Sequence, residues 1–332
     1  MLRLIVTRLL ISIPLLFAVA TLIFLLTHVL PGDVAGIIAG PNATEENIQA
    51  IRDRLGLNDP LWKQYLDYLG GLLRGDLGYS YLTGRDVASE LFSRLPSTLV
   101  LVTVGMIGAT LWGLLLGASV VFTRIGGKFG RLFSSLGLST PDFVLAVALI
   151  FVFYFMLGWA PSPIGQLDMS IPRPPTVTGA AIIDSALAGQ WVAFGNAAAH
   201  LVLPVIAMAF VYGASVAKVA ESSFREAKAA PFMDYASLTS LRRGTRAKYL
   251  TVSSLPATIT YSGASYAYML GGVVLIEMVF SWGGVAQFAA TSIANRDLNV
   301  IQGFVLIVSV VTFLIYLILD VLYVIVDPRV RT

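Results

Sequence analysis

Long apolar stretches alternate with shorter polar segments along the whole chain. A transmembrane helix needs about 20 mostly apolar residues to cross about 30 Å of hydrocarbon. Six stretches reach this size, and they cover residues 9–30, 98–122, 143–160, 197–217, 257–281 and 300–326. The first four contain no Asp, Glu, Lys or Arg. This pattern predicts an all-α polytopic membrane protein with six transmembrane helices.

The first apolar stretch follows Arg3 and Arg8, as the apolar core of a signal peptide would. Its run is too long for a signal peptide, and no small-x-small cleavage site follows it directly. We therefore expect a retained helix, so that residues 1–30 form an N-terminal arm and the first transmembrane helix.

The polar segment 31–97 mixes charges of both signs and predicts a folded, helical outer loop. Thr44 can cap a helix whose first turn is acidic, and Gly56 is a natural end for it. A second helix is expected after Pro60, because proline is favoured at the start of a helix. Its apolar face would consist of Leu61, Tyr65, Leu69 and Leu72.

The basic residues collect on one side of the predicted spans. Cytoplasmic loops of membrane proteins carry an excess of Lys and Arg. Alternate polar segments hold most of these residues here, namely Arg3, Arg8, Arg124, Lys128, Arg131, those in 224–250, Arg329 and Arg331. The short segments 161–196 and 282–299 hold only Arg173 and Arg296. Both termini are therefore expected in the cytoplasm.

The composition supports a membrane environment. Of the 332 residues, 57% are hydrophobic and 12% are charged, whereas a soluble domain has about 25% charged residues. The net charge of +3 does not indicate nucleic-acid binding, because the basic residues lie in short segments between apolar runs. We expect contact with a lipid bilayer and no contact with nucleic acid.

The most basic polar segment is 224–250, and it predicts a helix between two breaks. The fourth span is expected to continue as a helix until Pro231 breaks it. Asp234 can then cap a short helix over 235–243 that presents Tyr235, Leu238 and Leu241 on one side.

In the same segment, Gly244 would end the short helix and Thr245 would cap the next one. Such a helix fits two environments equally well. It can fill the cleft of another protein, or it can rest as a basic loop on anionic lipid.

The sequence contains no catalytic or nucleotide-binding motif. The fragment Gly126-Gly127-Lys128 lacks the first Gly and the final Ser or Thr of a phosphate-binding loop. There is no cysteine, and His28 and His200 are far apart, which argues against a metal site. We expect no enzymatic activity, and no cofactor or metal held by this chain.

Two acidic residues lie within the predicted spans, Glu277 and Asp320, and each is near one end of its span. Intramembrane acids are functional candidates by default. A position close to the membrane surface favours structural pairing for both.

Small residues in the second and fifth spans predict close helix packing, and they are Gly105, Gly108, Gly113, Gly117, Gly263, Gly271 and Gly272.

Several short motifs occur together and in order over about 300 residues. They are LPGD at 30–33, RLGLxxP at 54–60, GDLGxS at 75–80, RLPxTL at 94–99, ExVFSW at 277–282, RDxxVIQG at 296–303 and DPRVR at 327–331. In this set the chain resembles the inner-membrane permeases of ABC importers. The resemblance is to the first permease of the dipeptide, oligopeptide, glutathione and nickel systems.

The resemblance implies the type I importer fold in a bacterial inner (cytoplasmic) membrane, with a core permease domain over 98–326 and a tail over 327–332. It also implies a second homologous permease, two cytoplasmic ATPase subunits that hold ATP and Mg²⁺, and an external solute-binding protein. A coupling helix in the loop 218–256 would dock on the ATPase. Its candidate residues are Asp234, Tyr235, Leu238, Leu241, Arg242, Arg243 and Gly244.

The chain departs from the family pattern within this loop. In that family the loop carries the signature E-A-A-x-x-x-G. Counting from Asp234-Tyr235, its first three positions hold Ser237, Leu238 and Thr239 here, and its glycine position falls at Arg243, one residue before Gly244. The departure concerns the register of the docking helix rather than its role.

Peptides are the favoured cargo, with opines, glycans, glutathione and nickel left open. The alternatives are a stand-alone secondary transporter or channel, and a membrane scaffold without transport.

Overall fold

The computed structural model describes residues 2–29, 34–40, 43–54, 56–239 and 241–326, and these residues form fourteen α-helices. The motifs at 30–33 and 327–331, together with Leu55, lie outside the described residues. The first helices are α1 (Leu2–Val29), α2 (Val34–Ala39), α3 (Glu45–Arg54) and α4 (Leu61–Leu73). The central helices are α5 (Val87–Phe122), α6 (Arg124–Ser139), α7 (Asp142–Leu149), α8 (Ala181–Leu187) and α9 (Trp191–Ala229). The last are α10 (Pro231–Leu238), α11 (Arg243–Gly272), α12 (Val274–Val279), α13 (Val285–Ala294) and α14 (Leu298–Val326).

Two long helices, α5 and α9, pack against each other along the centre of the molecule. Small residues make this close approach possible. A Cβ atom on Gly113 would lie 2.6 Å from Cβ of Val216, and one on Gly117 would lie 2.7 Å from Cβ of Ala220. Gly263 on α11 is likewise in contact with Leu319 on α14. The predicted role in helix packing is confirmed for Gly113, Gly117 and Gly263, whereas Gly271 has no atom within 4 Å of an added Cβ atom.

The two ends of the bundle differ in character. The end that carries the α5–α6 junction and α10 is rich in Lys and Arg, and we call it the basic end. The opposite end carries α2–α4 and the segment 158–190, and we call it the loop end. At the basic end, the Nε atom of Arg8 on α1 lies 2.7 Å from Oδ2 of Asp320 on α14.

The helices predicted for the outer loop are present as α3 and α4. The Oγ1 atom of Thr44 accepts a hydrogen bond of 3.4 Å from the backbone N–H of Asn47, and Gly56 follows α3 with a φ of +67°. On α4, the Tyr65 hydroxyl is 2.6 Å from Oγ1 of Thr21, so this helix covers part of α1. The predicted face was wrong at Leu61, which is exposed.

Two predicted boundaries are corrected. The helix expected to begin at residue 98 begins at Val87, because Oδ1 of Asp86 caps it by accepting a 2.7 Å hydrogen bond from Ser89 N–H. Residues 124–139, expected as a loop, form α6. Its small residues allow it to lie against α5 and α9, and they are Gly127, Gly130, Ser134 and Gly137.

The membrane spans agree only in part with the six predicted. Among the described residues, α1, α5, α9 and α14 are long and apolar enough to cross a membrane. A fifth crossing is obtained if α6 and the segment 142–156, which meet at an angle of 106°, are counted as one broken span. The 30 residues of α11 are not among them. Serine, threonine and tyrosine interrupt the apolar residues of this helix.

Candidate functional site

The short helix α10 lies at the basic end, directly after α9. Ala230 separates the two helices in an extended conformation, with φ −73° and ψ 142°. Pro231 occupies the first position of α10, where its missing N–H needs no partner and its fixed φ suits a helix. Thr239 ends the helix, and its hydroxyl donates a 2.9 Å hydrogen bond to the Tyr235 carbonyl.

The position of α10 corrects the predicted register. The helix covers 231–238 rather than 235–243, so Asp234 lies in its first turn and does not cap it. Leu241 and Arg242 lie in the link to α11. That helix begins at Arg243, whose side chain is outside the described part of the chain, and it contains Gly244. Proline at the first helical position, a stronger start signal here than the Asp cap, explains the shift.

Three large side chains at intervals of three residues project from α10. Phe232 is 42% exposed, Tyr235 is 68% exposed and Leu238 is 83% exposed. Leu241, predicted on the same face, is half-buried and lies outside the helix. Contiguous exposed apolar surface of this kind marks a site of contact with a protein or a membrane.

The other side of α10 lies against α9. Ala236 is buried on this side. On α9 itself, the Ser223 carbonyl accepts a 3.2 Å hydrogen bond from the Ser254 hydroxyl of α11. The rings of Phe122 and Phe224 meet edge to face at 5.5 Å between centroids. These two contacts join α9 to α11 and to α5.

Glu277 is fully buried at the loop end and joins three helices. The Thr98 hydroxyl of α5 donates a hydrogen bond to one carboxylate oxygen. The backbone N–H of Gln287, on α13, donates to the other at 2.7 Å. The same Thr98 oxygen accepts a 2.9 Å hydrogen bond from Val285 N–H. These contacts fit the structural pairing expected for Glu277.

Asp320 is paired as well, since it forms the ion pair with Arg8. The Arg8 side chain is 52% exposed, and exposed ion pairs contribute only about 0–1 kcal/mol. His200 is buried, and its Nε2 is 3.5 Å from Oδ1 of Asp168. That distance is too long for a firm hydrogen bond. Within the described ranges no group of three His, Cys, Asp or Glu residues could hold a metal ion.

Asp184 organises the segment 158–190 at the loop end. Its carboxylate accepts hydrogen bonds from the Thr178 N–H at 2.7 Å, the Thr178 hydroxyl at 2.8 Å and the Gly179 N–H at 3.0 Å. Burial alone would raise the pKa of Asp184, but these hydrogen bonds outweigh it and hold the pKa below its usual value. These hydrogen bonds fasten the turn at Thr178 and Gly179 to the helix α8.

A further site is a cavity of about 560 Å³ between α9, α11 and the bend that separates α6 from α7. Its polar lining includes Asp142, Tyr212, Tyr261 and Tyr268. Sequence reasoning missed it because Asp142 stands one residue before the third apolar stretch. The available signal was the pair Pro141-Asp142, a helix break followed by an acid beside a membrane span.

Comparison with known sequences identifies the chain's family. Residues 109–332 match the family described as binding-protein-dependent transport system inner membrane component. Residues 1–102 match the N-terminal part of such membrane components. The chain belongs to this family of ABC importer permeases. It is an inner-membrane, multi-pass subunit and not the ATPase, as the sequence motifs predicted.

The permease resembles two kinds of known permease along nearly its full length. It is 35% identical over 319 residues to the probable D,D-dipeptide transport system permease protein DdpB of Escherichia coli strain K12, which covers 94% of this chain and 92% of the relative. It is 32% identical over 338 residues to the glutathione transport system permease protein GsiC of the same strain, which covers 100% of this chain and 99% of the relative. The GsiC protein of Shigella dysenteriae serotype 1 (strain Sd197) gives the same values.

Both the short helix α10 and the cavity lie within the part of the permease that matches the transport component, residues 109–332. Glu277 lies there too, but its partner Thr98 belongs to the N-terminal match. The carboxylate therefore ties the two matched regions of the permease together at the loop end.

Proposed function

We propose that this permease forms, together with a second homologous permease, the translocation pathway of an ATP-driven importer of di- and oligopeptides. The relatives support a peptide cargo, since their names specify D,D-dipeptides and glutathione, which is itself a small peptide. An external solute-binding protein would deliver the cargo to the loop end. ATP and Mg²⁺ would be held by two cytoplasmic ATPase subunits.

The proposed topology has six crossings, with α11 as the fifth, and both termini in the cytoplasm. The ion pair between Arg8 and Asp320 supports it, because the start of α1 and the end of α14 then lie at the same end of the bundle. The concentration of Lys and Arg at that end supports a cytoplasmic location. The Ser, Thr and Tyr residues of α11 suit a helix that faces the pathway rather than lipid.

We assign α10 as the element that couples this pathway to the ATPase. The observation that carries the assignment is the exposed row of Phe232, Tyr235 and Leu238 on a helix anchored to α9. A partner that covers these side chains would gain about 1.5–3 kcal/mol for each one fully buried. Closure of two ATPase subunits would move α10, and α9 would carry the movement into the bundle.

The test replaces an exposed leucine by aspartate at each end of the molecule. Leu238→Asp places a charge within the proposed interface, whereas Leu73→Asp makes the same change at the loop end, where Leu73 is 90% exposed. We expect ATP-driven uptake to fall at least about tenfold for Leu238→Asp, which corresponds to 1.4 kcal/mol of lost docking energy. The Leu73→Asp permease should transport normally.

Two readouts separate the environments that α10 can occupy. If α10 docks on an ATPase, the Leu238→Asp permease will copurify with less ATPase than the Leu73→Asp permease does. Normal uptake and normal copurification for Leu238→Asp would show that α10 is not the coupling element. Uptake that depends on the anionic lipid content, with ATPase copurification unchanged, would assign α10 to the membrane surface.

A further inference from the structure

The cavity between α9, α11 and the α6–α7 bend lies within the length of the predicted spans, toward their cytoplasmic ends. The predicted span 98–122 has its midpoint at Thr110, whose hydroxyl donates a 2.9 Å hydrogen bond to the Ser262 hydroxyl of α11. Gly108 and Gly113 of α5 meet Ala209 and Val216 of α9. Tyr212, which lines the cavity, is therefore level with Thr110 of α5 and lies five residues before the end of its own predicted span, 197–217.

Polar groups at this depth need a specific environment. A broken helix is tolerated in the hydrocarbon region only where it is buried in protein or lines a cavity. The bend between Ser139 and Asp142 is such a break, and it opens onto the cavity. Tyr261 and Tyr268 are both exposed on the wall formed by α11. This wall is poorly suited to lipid and well suited to a polar molecule in passage.

One acidic side chain gives the cavity its charge. Among the described residues that line it, Asp142 alone is ionisable below neutral pH, and none is basic. The Asp142 carboxylate accepts a 2.8 Å hydrogen bond from the Phe143 N–H and interacts with the Tyr212 hydroxyl. No described Lys, Arg or His acts on it. A carboxylate at membrane depth without a cation is costly, so the site favours a positively charged occupant.

Aromatic rings add a second attraction for a cation. Tyr212 and Tyr268 stand edge to face at 6.4 Å between ring centroids, and Tyr261 lies about two helical turns before Tyr268 on the same helix. Cations bind over aromatic faces, more strongly when little water is present. The volume of about 560 Å³ lies within the range of small-molecule sites, about 300–1,000 Å³.

We propose that Asp142 binds the amino-terminal ammonium group of a peptide in transit, with Tyr212, Tyr261 and Tyr268 surrounding it. The ammonium group donates hydrogen bonds to the carboxylate, and the tyrosine rings shield the pair from water. This inference rests on the proposed peptide cargo. It adds a selectivity element within the membrane, apart from any selection made by the solute-binding protein.

The test uses the whole importer in proteoliposomes, that is, this permease with its partner permease, the ATPases and the solute-binding protein. Uptake is measured for trialanine and for N-acetyl-trialanine, each at a concentration that saturates the solute-binding protein. The permease variants are Asp142→Asn, Asp142→Glu and, as a control with the same loss of charge, Glu46→Gln on the exposed face of α3. Assembly of each complex is checked by size-exclusion chromatography.

The decisive quantity is the ratio of variant to wild-type uptake for each peptide, because selection by the solute-binding protein cancels in that ratio. We expect Asp142→Asn to reduce trialanine uptake about tenfold, with uptake of the acetylated peptide changed less than about twofold. Asp142→Glu should keep at least about half of the trialanine uptake, and Glu46→Gln should match wild type. If the wild type does not transport the acetylated peptide, the trialanine uptake of Asp142→Asn compared with that of Asp142→Glu tests the site.

Three results would overturn the site while leaving the importer intact. They are unchanged trialanine uptake by Asp142→Asn, an equal loss for both peptides, and a loss in Asp142→Glu as large as that in Asp142→Asn. The last two would indicate a structural role or an ion pair with the partner permease. A wild-type importer that takes up neither peptide would instead overturn the peptide cargo, and the ammonium site with it.

Discussion

Replacement of Glu277 tests whether this buried acid holds the loop end together. Glu277→Leu leaves the Thr98 hydroxyl and the Gln287 N–H without the acceptors that they have now. A buried polar group that loses its partner costs about 1–3 kcal/mol. With two such groups, we expect a loss of about 2–6 kcal/mol. Glu277→Gln keeps one carbonyl acceptor, so its loss should be about half as large.

The assay is thermal unfolding of the detergent-solubilised permease, followed by tryptophan fluorescence. Trp282 is a suitable reporter because it is buried close to Glu277 and its indole N–H donates a 3.1 Å hydrogen bond to the Ser97 carbonyl. Glu226→Leu, an exposed carboxylate on α9, is the matched control and should leave Tm nearly unchanged.

A double-mutant cycle with Thr98→Val measures the pair directly. Residues that share a hydrogen-bond network have coupling energies of about 0.5–3 kcal/mol, so the double variant should be less destabilised than the sum of the single ones. A Glu277→Leu permease with wild-type Tm, or additive effects of the two substitutions, would refute the structural role. Uptake per folded complex should be unaffected by Glu277→Gln. A loss of uptake without a loss of stability would indicate that Glu277 takes part in transport.

Two further predictions concern packing and topology. Gly113→Val should destabilise the permease by about 1–3 kcal/mol, as overpacked cores do, because its Cβ would lie 2.6 Å from that of Val216. The control is Gly271→Val, since no atom lies within 4 Å of the added Cβ there. Equal Tm values for the two variants would contradict the tight α5–α9 contact. The chain has no cysteine, so single cysteines can be introduced as L238C and L73C. They should react with a membrane-impermeant maleimide from opposite sides of the membrane, L238C only from the cytoplasm. Labelling of L238C from outside would reverse the proposed topology.

Local sequence signals predicted the elements that depend on local interactions. The helices α3 and α4 were foreseen because a capping threonine, a terminal glycine and an initial proline act within a few residues of one another. The same reasoning misplaced α10 by four residues, since both Asp234 and Pro231 are helix-start signals. The structure favours Pro231, directly after the extended Ala230.

Features that depend on distant contacts were not foreseen. The helix α6 is rich in glycine and has weak intrinsic helical propensity; its packing against α5 and α9 supplies the missing stability. Glu277 was expected to be paired, but its partner Thr98 is 179 residues away in the sequence. Asp142 lies at a helix bend, and the residues around it belong to α9 and α11. No pattern within the third apolar stretch predicts these neighbours.

The most direct test of the account is ATP-driven transport by the purified complex. Proteoliposomes that contain this permease, its partner permease, both ATPases and the solute-binding protein should accumulate a labelled dipeptide only when Mg²⁺-ATP is supplied. The permease alone should accumulate none on an imposed proton or sodium gradient. Uptake by the permease alone on an ion gradient, without ATP, would contradict the account and favour a stand-alone secondary transporter.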